Sequence, residues 1–301
     1  MQDAFPAACL SIGVSDSSGC GGTQADLKTF TALSCYGASI VTGVASHTLG
    51  TLRDLHVLPE SVVRSQLEAA AEDLPLNGVK VGFCPTVAIM RVVGRFLREH
   101  PTLKVVVDPV ARDSRGIPLL SPEQVACLKD ELLPRATVAT PNRFEAALLA
   151  GLEEVLARAD MEQAAKSILK RFGCPTLVTG GGLQGQSLDV LAALDGLRHF
   201  SFPTVVREKI HGTGATFSAA VAAGLCKGDS LREAILAAKL YVSAAISAAP
   251  RLENGRSALW HSVTVREQVI ATQSDEYPAV RMHHRPGTVT PVQGVPIIGP
   301  S

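Results

Sequence analysis

The 301 residues carry 28 Lys+Arg against 28 Asp+Glu, and 46% of them are hydrophobic. Balanced charge offers no field to gather nucleic acid or an anionic lipid surface, and no apolar run approaches the roughly 18 residues of a membrane span. The composition therefore predicts a large buried core and work on small molecules, with no nucleic-acid or membrane partner.

The opening MQDAFPAACLSIGVSD lacks a basic stretch ahead of its apolar run and does not read as a secretory signal. Seven scattered cysteines, none in a C-x-x-C pair, fit a reducing cytoplasm better than a disulfide framework or a zinc site. The first predicted strand, ACLSIGV, runs into SDSSGCGGTQADLKTF, residues 15–30. Gly19, Gly21 and Gly22 leave the carboxyl end of that strand open to a ligand. Asp26 falls on the first turn of the predicted helix TQADLKTFTALSCYG, and Cys20 reads as a filler in the loop. Strands ASIVTGVA, GVKVGF, LKVVVDPV, ATVAT and PTLVTGG then alternate with helices ESVVRSQLEAAAEDL, TVAIMRVVGRFLREH, SPEQVACLKDELL and MEQAAKSILKRFG. Such alternation, with almost continuously apolar strands, predicts a mostly parallel sheet covered by helices on both faces. Gly151 and Gly173 follow helices, and Ser121-Pro122 starts one.

Two middle stretches sit at predicted strand ends. Asp108 closes VVVD, and about thirty residues later comes ATPNRFEA. Asp108 and Glu145 are suited to hold Mg²⁺ beside nucleotide phosphates, and Asn142 to touch phosphate or a metal-bound water. The plainer alternative sets Asp108 before a proline turn and Glu145 on a solvated helix face. In VTGGG, residues 178–182, the glycines, Gly181 among them, let a nucleotide approach the backbone. GGGLQG is not a dinucleotide fingerprint, since no amphipathic helix follows it.

SLDVLAALDGLRHFSFP predicts a hairpin turning at Asp195-Gly196. The predicted strand PTVVREKI leads into HGTGATFSAA, residues 211–220, which opens a small-residue helix. Gly212, Thr213 and Gly214 can point successive N–H groups at one anion, aided by the positive helix end; a helix start that merely needs tight turns is the plainer alternative. A second helix runs from about Ser230 to near Ala249-Pro250. Past Trp260 the chain turns Pro- and Gly-rich. The change divides it into a large α/β domain, residues 1–262, and an extension, residues 263–301, either a loosely ordered tail or an arm. His283-His284 lacks a third ligand at metal spacing.

In order along the chain, SDSSGxGGxQADLKTFxAL, VVVDPV, TPNxxEA and HGTGxTFSAAxAAGL resemble the motifs of hydroxymethylpyrimidine/phosphomethylpyrimidine kinase, a thiamine-pathway member of the ribokinase-like superfamily. The resemblance spans about residue 8 to about residue 262. It implies a three-layer α/β/α domain with a central, mostly parallel sheet, and ATP with Mg²⁺ as cofactors. It implies phosphorylation of 4-amino-5-hydroxymethyl-2-methylpyrimidine, the small-molecule partner, and then of its monophosphate, by a homodimer. By position, Asp26 is similar to the substrate-side carboxylate. Asp108, Asn142 and Glu145 match the metal and phosphate neighbourhood, and Gly212, Thr213 and Gly214 the anion hole. Four positions depart from the pattern. Ala215 replaces the Cys taken as catalytic base, Thr179 the Lys near the nucleotide, Val14 a glycine of the substrate pocket wall, and Ser46-His47 a Gln-Asn pair that reads the pyrimidine edge. Two alternatives follow: a kinase for another hydroxymethyl heteroaromatic such as pyridoxal or pyridoxine, and a non-catalytic binder of nucleotide or pyrimidine.

Overall fold

The computed structural model describes residues 5–113, 116–183, 186–203, 210–253 and 255–263. The chain divides into two compact units, Met1–Val265 and Arg266–Ser301. The second unit lies outside the described residues, as do the readings of His283-His284 and the C-terminal extension.

The elements follow the predicted alternation. They are β1 (Ala8–Asp16), α1 (Gly22–Ala32), β2 (Tyr36–Thr48), β3 (Thr51–Val57), α2 (Glu60–Asp73), β4 (Leu76–Val81), α3 (Val87–Glu99), β5 (Lys104–Val107), α4 (Pro122–Cys127), β6 (Val138–Ala139), α5 (Arg143–Ala150), α6 (Arg158–Phe172), β7 (Thr176–Leu183), β8 (Gln186–Ala193), β9 (Gly196–Pro203), β10 (Ile210–His211), α7 (Thr213–Cys226), α8 (Leu231–Ser247) and β11 (Ser257–Ala258). Among the described residues nine strands form one sheet in the order β3-β2-β1-β4-β5-β6-β7-β8-β9. Neighbours from β2 across to β7 are parallel, and the hairpin partners β3, β8 and β9 are antiparallel.

The chain leaves β1 toward β2 and returns on the other side to β4, so the strand order reverses between β1 and β4. Open α/β sheets bind ligands at the carboxyl ends flanking such a reversal. Helices α2, α3, α5 and α6 cover one face; α1, α7 and α8 cover the other. On α3 the buried Ile89, Met90, Val93, Phe96 and Leu97 form a single stripe. Each such side chain contributes about 1.5–3 kcal/mol on burial. Helix α7 is buried from Thr216 to Cys226, and its alanines and glycines let it lie close to the sheet and to α8.

Three differences from the sequence reading have physical causes. The first helix stops at Ala32 rather than reaching Gly37: Ser34 turns left-handed (φ 60°), the Cys35 N–H bonds back to Phe30 O, and Tyr36 already pairs with Ala8. Strand β3 was not expected. TLRDLHV lies at the sheet edge with its polar residues exposed, so it carries no apolar run. The helix after Ser121 keeps its capping box but relaxes after Cys127 into a wider π turn. The expected strand PTVVREKI lies largely outside the described residues.

Candidate functional site

Asp16, the last residue of β1, organises the loop that follows. Its Oδ1 accepts the Ser18 N–H at 2.8 Å and its Oδ2 the Gly21 N–H at 2.9 Å. This curls the SSGCG segment back over the strand end. The same loop meets the start of α7. Gly212, the N-cap of α7, adopts φ +90°, and a Cβ there would stand 1.6 Å from the Cys20 carbonyl oxygen. Only glycine fits. Replacing Gly212 by alanine should cost about 1–3 kcal/mol, as left-handed strain and displacement of the 17–21 loop combine. Urea unfolding measures it, and a loss under about 0.5 kcal/mol would mean that the turn is not fixed by this contact.

No side chain caps α7, and its first intrahelical bond runs from Thr216 N to Gly212 O. The N–H groups of Thr213, Gly214 and Ala215 therefore stand at the positive end of a 14-residue helix without side-chain partners. Beside Gly214 a Cβ would meet nothing within 4 Å, which is room for an anion. Ala215 offers no proton-accepting atom.

Behind this turn lies a buried charge cluster. Lys80 of β4, 2% exposed, places Nζ 3.1 Å from both oxygens of Asp26 and 3.6 Å from Asp108 Oδ2. Ser11 Oγ donates to Asp26 at 2.6 Å, and Ser218 Oγ to Asp108 at 3.0 Å. Ser218 also lies 3.0 Å from the Ala215 carbonyl oxygen, so Asp108 is tied to the first turn of α7 by one side chain. Burial pushes the Asp26 carboxyl up, partly offset by Lys80. The two aspartates hold the Lys80 ammonium above its usual range despite its burial. Asp26 thus stands behind the turn as the partner of Lys80.

Glu145 is 4% exposed rather than on a solvated face. Its oxygens accept from Ala111 N at 3.3 Å and from Asn142 N at 2.9 Å, while Asn142 Oδ1 accepts from Glu145 N at 3.0 Å. This reciprocal capping box starts α5. Burial first, and then Asp108, push the Glu145 carboxyl up to about 8. Asn142 is exposed and bridges to Thr179 across the β6–β7 side, where Thr179 N donates to Pro141 O at 2.9 Å. Gly181 follows in β7. The neighbouring Gly180 N–H donates to Asp189, which pairs with Lys239 of α8 at 2.7 Å and so stiffens this strand end.

Val14 is half-buried on β1, two residues before Asp16. On β2, Ser46 is exposed and pairs with Asp54, whereas His47 turns to the site and stacks on His211 at 5.0 Å. Burial, then His47, lower the pKa of His211. The geometry thus gathers Gly212–Ala215, Asp26, Asp108 and Glu145 around the β1/β4/β5 strand ends, with Asn142 and Thr179 toward β7. Sequence reasoning missed Lys80, Asp16, His211 and Ser218. A lysine inside the apolar strand GVKVGF was the readable signal, because a cation buried in a parallel strand needs carboxylate partners.

The phosphomethylpyrimidine kinase family matches residues 16–260. A hydroxymethylpyrimidine/phosphomethylpyrimidine kinase of Rhizobium meliloti is 41% identical over 251 residues, covering 83% of this chain and 94% of that protein. Among solved structures, an ADP complex of Bacillus subtilis pyridoxal kinase superposes with a TM-score of 0.78 at 34% identity, covering 85% of this chain and 97% of that one. A phosphomethylpyrimidine kinase of Clostridium difficile superposes with a TM-score of 0.71 at 31% identity, covering 79% and 99%.

Proposed function

Since the chain belongs to the phosphomethylpyrimidine kinase family, we propose that it transfers phosphate from ATP to 4-amino-5-hydroxymethyl-2-methylpyrimidine, and then to the resulting monophosphate, in thiamine biosynthesis. One observation carries the reading: the uncapped start of α7 stands one side chain, Ser218, away from the strand-end carboxylate Asp108. That pairs an anion-binding turn with a cation-holding acid, which phosphoryl transfer requires.

In this reading the N–H groups of Thr213–Ala215 hold the transferring phosphoryl group. Lys80 keeps Asp26 and Asp108 in place, Asp26 backs the substrate side, and Val14 and His47 shape the pocket wall. Asn142, Thr179 and Gly181 face the nucleotide. Asp108 and Glu145 supply only oxygen donors, and two adjacent buried carboxylates suit a hard divalent cation, so they are the residues that would hold Mg²⁺. Bound there, Mg²⁺ would neutralise charge on the phosphates. All seven cysteines are free and buried, which accords with a cytoplasmic protein, and no helix among the described residues is long and apolar enough to cross a membrane. A homodimer, which light scattering would test, completes the proposal.

His47 favours a second reading. Its imidazole replaces a polar pair with a flat ring half-buried at the site, a change that suits a pyridine vitamer as substrate. The likeness to a pyridoxal kinase supports it.

ADP release with Mg²⁺-ATP and the hydroxymethylpyrimidine, its monophosphate, pyridoxal and pyridoxine separates the readings. We expect turnover with the pyrimidines. We also expect Ala215→Cys to raise it roughly tenfold or more, toward the 10²–10⁴-fold that a positioned base supplies. Preference for pyridoxal would establish the second reading. No turnover by either protein, with calorimetric nucleotide binding retained, would make the chain a non-catalytic binder.

A further inference from the structure

Asp16 and His211 have no role in the kinase reading above and His47 only lines its pocket wall, yet three separate elements bring them together. Asp16 closes β1, His47 lies near the end of β2, and His211 ends β10 directly before the α7 turn. One ligand atom from each lies within 4.8 Å of the other two. We propose that Asp16, His47 and His211 form a binding site for a borderline divalent transition-metal ion, Zn²⁺ being the ion that best fits the donors. This goes beyond the kinase reading and does not depend on it.

The donor set decides the ion. Two imidazole nitrogens and one carboxylate oxygen match Zn²⁺, Co²⁺ or Ni²⁺, whereas Mg²⁺ selects oxygen ligands such as those of Asp108 and Glu145. Donors around tetrahedral zinc, at bond lengths of about 2.0–2.2 Å, stand roughly 3.3 Å apart, so closing the cluster asks for shifts of about an ångström. Half-buried histidine rings can make such shifts by small χ changes.

The ligands are already oriented. Asp16, 4% exposed, is pinned by the Ser18 and Gly21 N–H groups. His47 places Nδ1 against the Thr48 carbonyl oxygen. A carbonyl only accepts, so Nδ1 carries the proton and Nε2 keeps its lone pair, the second-shell arrangement that fixes metal-binding histidines. The His47 backbone is itself clasped by Ser17 Oγ, which accepts its N–H at 2.8 Å. The rings stack with an interplanar angle of 16°. Three protein ligands leave a fourth position for water or a phosphate oxygen, and His211 sets that position beside the Gly212 turn.

Full-length protein freed of metal by a chelator, then titrated with Co²⁺ alone, tests this. One ion per chain should bind, with the visible d–d bands of low-coordinate cobalt and no thiolate charge-transfer band. Zn²⁺ should displace it and a large excess of Mg²⁺ should not. His47→Gln and His211→Gln should each weaken binding by at least the roughly 10–100-fold that loss of a mere second-shell partner costs. His56→Gln, exposed on β3, should bind as the unaltered protein does. Circular dichroism checks folding, and if His211→Gln does not fold, His47→Gln on the half-exposed strand carries the test. Less than one ion per chain, a thiolate band, displacement by Mg²⁺, or unchanged affinity in His47→Gln would each overturn the proposal.

Discussion

Lys80→Met is expected to destabilise the fold by about 3–5 kcal/mol and to abolish turnover, because it leaves two carboxylates facing each other without their cation. The side chains of Asp26 and Asp108 are 1% and 9% exposed, so water cannot replace the ammonium. Only the Ser11 and Ser218 hydroxyls remain to them. Methionine fills similar volume, so the loss reads charge rather than a cavity. In the variant Asp26, already pushed up by burial and no longer offset by Lys80, would bind its proton more tightly folded than unfolded. The raised folded pKa makes stability fall as pH climbs above the ordinary carboxylate range, so the variant should gain stability on acidification from pH 8 to pH 5. Adding Asp26→Leu should restore part of the stability, since it removes one uncompensated charge. A cycle of urea unfolding curves on the single and double variants measures the coupling. A loss below about 1 kcal/mol in Lys80→Met would show that the cluster does not hold the site together.

The readable parts of this chain were those in which local chemistry and tertiary role coincide. Strand–helix alternation was legible because the parallel strands are buried on both faces and so appear as unbroken β-branched runs, as in VVVD before Pro109. The α7 turn was legible because the left-handed N-cap at Gly212, packed against the Cys20 carbonyl, demands glycine in the sequence itself. Asp108 and Glu145 were legible as a pair of acids at strand and helix ends, and their burial confirms that Glu145 is no surface residue.

What stayed hidden depends on pairings across the sheet. Lys80 lies 54 residues from Asp26 and meets it only when β4 settles beside β1. His47 and His211 come together only because the β2 end and the α7 turn flank the same loop. Edge strand β3 was invisible because an exposed edge selects polar residues and erases the period-two apolar signal. The end of α1 was misread because Ser34 takes a left-handed conformation that glycine or asparagine normally advertises.

Glu145→Gln should remove a fall in stability that the natural protein shows as pH rises. In the folded chain this carboxyl titrates at about 8, against 4.5 for an unperturbed glutamate. Between those values the folded state keeps a proton that the unfolded state has released. Stability therefore falls as pH rises through this window, by about 1.4 kcal/mol per unit of difference and on the order of 5 kcal/mol in all. Glutamine is the neutral isostere. Its amide oxygen can still accept the Asn142 N–H and keep the capping box, while the bond from Ala111 N weakens at a cost of about 1 kcal/mol. The variant should be slightly less stable than the natural protein at pH 5 and clearly more stable at pH 8.5, so the two curves cross. If Mg²⁺ binds at Glu145 as proposed, it should flatten the slope of the natural protein, because a nearby cation favours the ionised carboxylate. Urea unfolding at pH 5, 7 and 8.5, with and without Mg²⁺, provides the test. Parallel curves would mean that Glu145 does not titrate in this window. A crossing would instead show that Glu145 holds its proton in the folded chain, as its burial and then its proximity to Asp108 require.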